Sequence, residues 1–323
     1  MRRREFIALL GASAAIQSFT AEAKHQPGTS HIGVLWPLDE ERVLEAFRTG
    51  LGELGYVEGQ NVVYEYRTSR GDDALLPRLA ADLVRLEVDL ILTWGVTAGR
   101  AARQATDSIP IVNGSMSDPV RAKLVESLAR PGGNLTGLTS ASPHLSVKRL
   151  ELLRELVPGL SRVAALATPA PTASFGLRET EAAARSLGIE LKPVVVERPE
   201  QLTEAYAAMA RGGAGGLVVL PDLMFDQHKN RLIELAVRYR LPAIYYARAF
   251  VEAGGLMYHG SSFVDQFRRA ASLVDKILKG ERPGDLPVEQ PVRFELVISA
   301  AAADALGLNI PPMLLARADE VLE

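Results

Sequence analysis

Cysteine is absent from all 323 residues. That excludes disulfides, thiolate metal sites, a cysteine nucleophile and lipid attachment behind an export signal. Histidine is sparse, and the five, at 25, 31, 144, 228 and 259, lack the spacing of metal ligands. His259, in GLMYHGSS near the end of the chain, is read as a hydrogen-bonded residue of a surface or hinge. No G-x-S-x-G elbow, H-E-x-x-H pair or P-loop occurs. GGAGGL at 212–217 precedes a strand pattern, whereas a dinucleotide loop follows one and opens a helix; it reads as a helix terminator. No cofactor is therefore expected, and an exported α/β enzyme stands only as the alternative function. Basic clusters are missing after the first residues, and 36 basic against 39 acidic residues leave a formal net charge of −3, which argues against a nucleic-acid surface. No stretch reaches the ~20 apolar residues of a membrane span.

What is present begins with MRRREFIALLGASAAIQSFTAEA. A basic head, a short apolar middle from Phe6 to Ile16 and small residues before a cut are the parts of an export signal. Arg3, Arg4, Phe6 and Ile7 give R-R-x-F-I, the twin-arginine pattern, a receptor-read address. Ala21 and Ala23 supply A-x-A, so cleavage is expected after Ala23, giving a periplasmic protein that is not a lipoprotein. Residues 1–23 are left out of the fold.

The remainder, long enough for two domains and drawn from a chain with 47% hydrophobic residues, alternates β-branched runs with helical patterns. HIGVLWPL, NVVYEYRTS, DLILTWG and IPIVNGS read as strands. The intervening segments read as helices, the first with Asp39 as its N-cap and the fourth spanning PVRAKLVESLARPGG. After the linking segment NLTGLTSASPH a second series follows, with strands RVAALATP, ELKPVVVE, GGLVVLPD and LPAIYY and helices at about 173–187, 199–211 and 226–240. Such alternation implies parallel sheets, because parallel strands need crossover connections. The expected fold class is α/β, two doubly wound parallel-sheet lobes joined by hinge crossovers. The first lobe is expected to be 31–138 plus about 258–288, the second 139–257 plus about 289–323. Each lobe offers a crevice at the carboxyl ends of its strands, and two facing lobes enclose a cleft that closes by hinge motion.

Five stretches carry a resemblance: EAFRTGLGELGYVEGQNVVYEYR (45–67), SDPVRAKLVESLARPGGNLTG (117–137), ELLRELVP (151–158), LPAIYYARAFVEAGGLM (241–257) and the segment 285–323. Together they make the chain similar to the substrate-binding components of ABC importers, in the group of tryptophan- and tyrosine-type uptake receptors with the type I periplasmic-binding fold. The resemblance implies a monomeric receptor that captures a small solute outside the membrane and delivers it to a permease driven by a cytoplasmic ATPase. Presentation of the loaded receptor to a membrane sensor is a further alternative.

Candidate ligand contacts follow from strand ends. In TWGVTAGRAAR the loop Gly95-Val96-Thr97 opens a helix whose free N–H groups suit a carboxylate. The family often has G-[TS]-P-A-A there, and Thr97 is equally a plain N-cap. In NGSMSDPV, Ser117 and Asp118 stand near the cleft, Asp118 either pairing with an ammonium group or capping the next segment. Thr168 replaces the family's common Asn at the first strand end of the second lobe. Asp222 ends a later strand there, Asp226 reads as a plain N-cap, and of Tyr245 and Tyr246 one is expected to face the cleft and the other the core. Trp36 and Trp94, the only tryptophans, both end first-lobe strands. Aromatic walls with a few placed polar groups suit an amino acid or a small aromatic acid.

Overall fold

A computed structural model describes residues 28–37, 40–140 and 145–323; the export-signal reading and the Asp39 cap fall outside them. The first lobe starts with β1 (Ser30–Trp36), α1 (Glu41–Glu53), β2 (Val62–Thr68), α2 (Leu76–Arg85), β3 (Leu90–Thr93), α3 (Gly95–Ala105), β4 (Ile111–Met116) and β5 (Leu135–Thr139). Its five strands form a parallel sheet in the order β2-β1-β3-β4-β5. β3 and β4 are buried along their whole length, as strands covered by helices on both faces must be.

The second lobe contains α4 (Leu145–Leu156), β6 (Arg162–Ala167), α5 (Pro171–Leu187), β7 (Glu190–Val195), α6 (Leu202–Arg211), β8 (Gly216–Val219), α7 (Leu223–Gln227), α8 (Lys229–Arg238), β9 (Ala243–Tyr245), α9 (Arg248–Glu252) and β10 (Met257–Ser261). The chain then returns to the first lobe as α10 (Phe263–Leu278) and goes back to form β11 (Phe294–Ser299), α11 (Ala300–Leu306), α12 (Pro312–Arg317) and β12 (Glu320–Leu322). The second sheet runs β12-β11-β10-β9-β8-β6-β7, parallel except where β11 meets β10.

Three differences from the sequence reading have physical causes. Residues 119–130 make turns rather than a helix. Their carbonyls are taken from outside: Arg103 donates to the carbonyls of Lys123 and Leu124, and the Val288 amide to that of Leu128. Lys123 also has a φ of 56°, which breaks any helical run. The linking segment supplies a fifth strand, β5, buried throughout. Residues 257–261 pair with β9 and β11, so the chain leaves the second sheet at Ser261, whereas the sequence grouped residues from about 258 with the first lobe.

α10 covers one face of the first sheet beside α1, sharing a core with Phe47, Leu51, Phe267, Ala271 and Val274. Two glycines permit this approach. A Cβ on Gly50 would stand 2.6 Å from the Arg268 carbonyl oxygen, and one on Gly114 would enter the Phe267 ring. The crossover segments lie side by side. The Thr139 amide donates to the Glu289 carbonyl at 2.9 Å, the Ser262 amide to that of Arg293 at 3.2 Å, and Gln266 Nε2 to the Thr139 carbonyl at 2.9 Å.

Candidate functional site

The carboxyl ends of β1, β3, β4 and β5 face those of β8 and β9, and a cleft of about 340 Å³ lies between them. This is where open α/β sheets bind ligands. Trp94, Gly95, Thr97, Ser117, Asp222 and Tyr246 line it, so six residues singled out at strand ends converge on one space.

The other four candidates do not line it. Trp36 is 5% exposed and backs Trp94, with ring centres 5.4 Å apart and Phe267 5.0 Å away. Asp118 accepts the Arg121 amide at 3.0 Å, the capping role that competed with ligand contact. Thr168 is buried and donates its hydroxyl to the Asp222 carboxylate. Tyr245, the last residue of β9, is buried and stacked on Phe250 at 4.7 Å, whereas Tyr246 lies just past the strand and turns to the cleft.

Asp222 caps α7, accepting the Met224 amide at 2.9 Å. Asp226, expected as the N-cap of the helix at about 226–240, instead sits in the cleft and accepts the Tyr246 hydroxyl proton at 2.6 Å. Burial pushes the Asp226 carboxyl up to about 7, reinforced by Glu40 and Asp222 and opposed by Tyr246 and Lys229. Across the cleft, burial also raises Glu40 and Asp73. The neighbouring Thr97 hydroxyl opposes the rise of Asp73, while the charges of Asp222 and Asp72 add to it. Among the described residues, Arg42 reaches Glu252 across the rim at 3.1 Å, and Gln227 Nε2 donates to the Gly71 carbonyl at 2.5 Å.

A family profile described as ABC transporter substrate binding protein matches residues 32–322. The chain belongs to this family. The chain is 24% identical over 304 residues to the tyrosine-binding protein of Clostridioides difficile (strain R20291), covering 93% of this chain and 86% of that one. Its fold superimposes on an ABC domain in complex with L-Trp from Streptococcus pneumonia with a TM-score of 0.85 at 25% identity, covering 91% of this chain and all of that one. A conserved domain protein from Vibrio cholerae gives a TM-score of 0.83 at 29% identity, with 91% and 99% covered. The family is one of solute-binding receptors rather than enzymes, and its members work outside the cytoplasm with a transporter. No helix among the described residues is long and apolar enough to cross a membrane.

The cleft also contains residues that sequence reasoning did not place there: Glu40, Asp73, Asp226 and Arg149. A signal for Arg149 was available. It lies four residues before Leu153 and seven before Leu156, on the buried stripe of α4, where a solvated arginine does not belong. His259 borders this region from β10. Its Nδ1 is 3.1 Å from the Glu295 carbonyl, and burial, with the charge of Arg149, lowers it to about 4.

Proposed function

We propose that the protein is the solute receptor of an ABC importer and that it closes its two lobes on one small molecule, an amino acid or a small aromatic or organic acid. The observation that carries this reading is the cleft at the strand ends, walled by Trp94 and supplied with charged groups of both signs. The amino-acid class is supported by the relatives, one a tyrosine-binding protein and one crystallised with L-Trp. Trp94, Gly95, Thr97, Ser117, Asp222 and Tyr246 are the proposed ligand contacts. The moving bodies are taken as residues 30–140 with 262–290, and residues 145–261 with 291–323. Closure matters because the transporter must tell loaded from empty receptor, and a ligand shifts that equilibrium only through its preference for the closed form. A permease with its ATPase is the proposed partner, the receptor acting as a monomer in the periplasm after twin-arginine export and removal of residues 1–23.

Thermal unfolding across aromatic and branched amino acids and related acids tests the reading. A solute at 100 times its Kd stabilises by about 2.7 kcal/mol. A melting temperature unmoved by every member of the panel refutes it.

A further inference from the structure

Arg149 is a buried cation with no ion-pair partner among the described residues. Its side chain is 93% covered, being 7% exposed, yet it lines the cleft. The Nε–H donates to the His259 carbonyl at 2.7 Å, and no carboxylate lies within ion-pair distance among the described residues. Glu295, on the neighbouring strand, also lines the cleft and makes no ion pair with it. Burial lowers the guanidinium only to about 10, so it stays charged at neutral pH. A guanidinium carries five N–H donors in a planar fork that matches a carboxylate. Here the edge of that fork has no hydrogen-bond partner among the described residues. Leu145 and Ser146, at the start of the same helix, border the same space and add the positive end of α4.

The first turn of α3, which the sequence offered for a carboxylate, lies beside Asp73, whose carboxyl group makes that helix end a poorer place for a second carboxylate. Asp73, Asp222, Asp226 and Glu40 act on one another across the cleft, Asp73 with Asp222, and Asp226 with both Asp222 and Glu40. None of the four is among the groups whose charge acts on Arg149. Nor do any three acidic or histidine groups among the described residues converge as a metal site. The cleft is therefore polarised, with Arg149 in one part and the four carboxyl groups, which Arg42 and Lys229 offset only in part, in another.

We propose that Arg149 is the anchor for a carboxylate of the solute, and that the solute's cationic group, where it has one, is held by the carboxylates shared between the two lobes. The proposal rests on the receptor reading above and orients the ligand within it.

The test is calorimetric titration of the mature chain with L-tryptophan, L-tyrosine, L-leucine and 4-hydroxybenzoate, each beside its primary carboxamide. The wild type is expected to prefer a carboxylate over its amide by on the order of 100-fold, the scale of a desolvated charge contact. In Arg149→Met that preference falls to within about threefold. Arg149→Lys, which keeps the charge and loses the fork, retains part of it. Circular dichroism and melting of both variants establish that they fold, and the lysine variant carries the comparison if the methionine variant does not. An unchanged acid-to-amide ratio in the folded variants overturns the anchor and leaves the receptor reading intact. Equal binding of acids and amides by the wild type does the same. Failure of the wild type to bind any of the eight compounds refutes both.

Discussion

Asp226 sits under Tyr246 at the meeting point of the two lobes, and its burial makes the molecule's stability depend on pH. A carboxyl whose folded-state value is raised binds its proton more tightly in the folded chain. Its contribution is complete below about 3.8 and is lost as pH rises through about 7. The Asp226→Asn variant is therefore expected to melt with a flatter pH profile between pH 4 and 7 than the wild type; an unaltered profile shows that Asp226 is ordinarily ionised. Asp118 plays a local part away from the cleft. Its carboxylate serves the Arg121 amide, so Asp118→Ala should cost about 0.5–1.5 kcal/mol in denaturant unfolding and leave ligand affinity unchanged. Trp94→Ala, at the cleft wall, should weaken binding at least tenfold. Equal losses from the two would place the pocket elsewhere. The legible residues were those fixed by position at a strand end, such as Trp94 and Asp222. Choosing between Tyr245 and Tyr246 required knowing that β9 ends at Tyr245, a limit set by pairing with neighbouring strands rather than by the local sequence. Arg149 escaped because charged residues default to solvent, although its place on the leucine stripe of α4 marked it.

Helices and strands were legible where one periodicity ran uninterrupted. α1 buries Val43, Leu44, Phe47 and Leu51 on one face, and β1 is an apolar run; both were read from spacing alone. Residues 119–130 have helical spacing too, but their carbonyls are claimed by Arg103 and by the Val288 amide, from elsewhere in the chain. β5, with the sequence LTGLT, carries weak local preference and is a strand because β4 pairs with it. The seam of α1 with α10 gives a prediction at this scale. Gly50→Ala would gain about 0.5–1 kcal/mol from helix propensity. The new methyl would meet the Arg268 carbonyl oxygen at 2.6 Å and the Ala271 Cβ at 2.9 Å, and a helix backbone cannot yield locally. Overpacking of this kind costs about 1–3 kcal/mol, so net destabilisation is expected in urea unfolding. A more stable variant would mean that α10 slides freely on α1.

The two-lobed architecture followed from chain order, since alternating strands and helices leave few topologies, but the cleft's charge depends on which loops meet across it. Glu40 and Asp73 come from the first lobe, Asp222 and Asp226 from the second. Bringing them together raises the affinity of Glu40, Asp73 and Asp226 for protons, through burial and the neighbouring negative charges. By linkage, whatever conformer raises those values is favoured as pH falls. The rim contacts that oppose separation are modest; the exposed Arg42–Glu252 pair is worth about 0–1 kcal/mol. The empty receptor should therefore open at pH 8, where the carboxylates repel, and close progressively towards pH 5. Small-angle scattering should report a radius of gyration that falls with pH, and Asp226→Asn should shift the curve to higher pH by removing one of the repelling charges. A zwitterionic solute should produce the compact form at pH 8 as well, its cation replacing the missing protons. A radius that is constant across pH, yet shrinks on adding ligand, would mean that these carboxylates do not gate closure and that contacts made by the rest of the solute drive it.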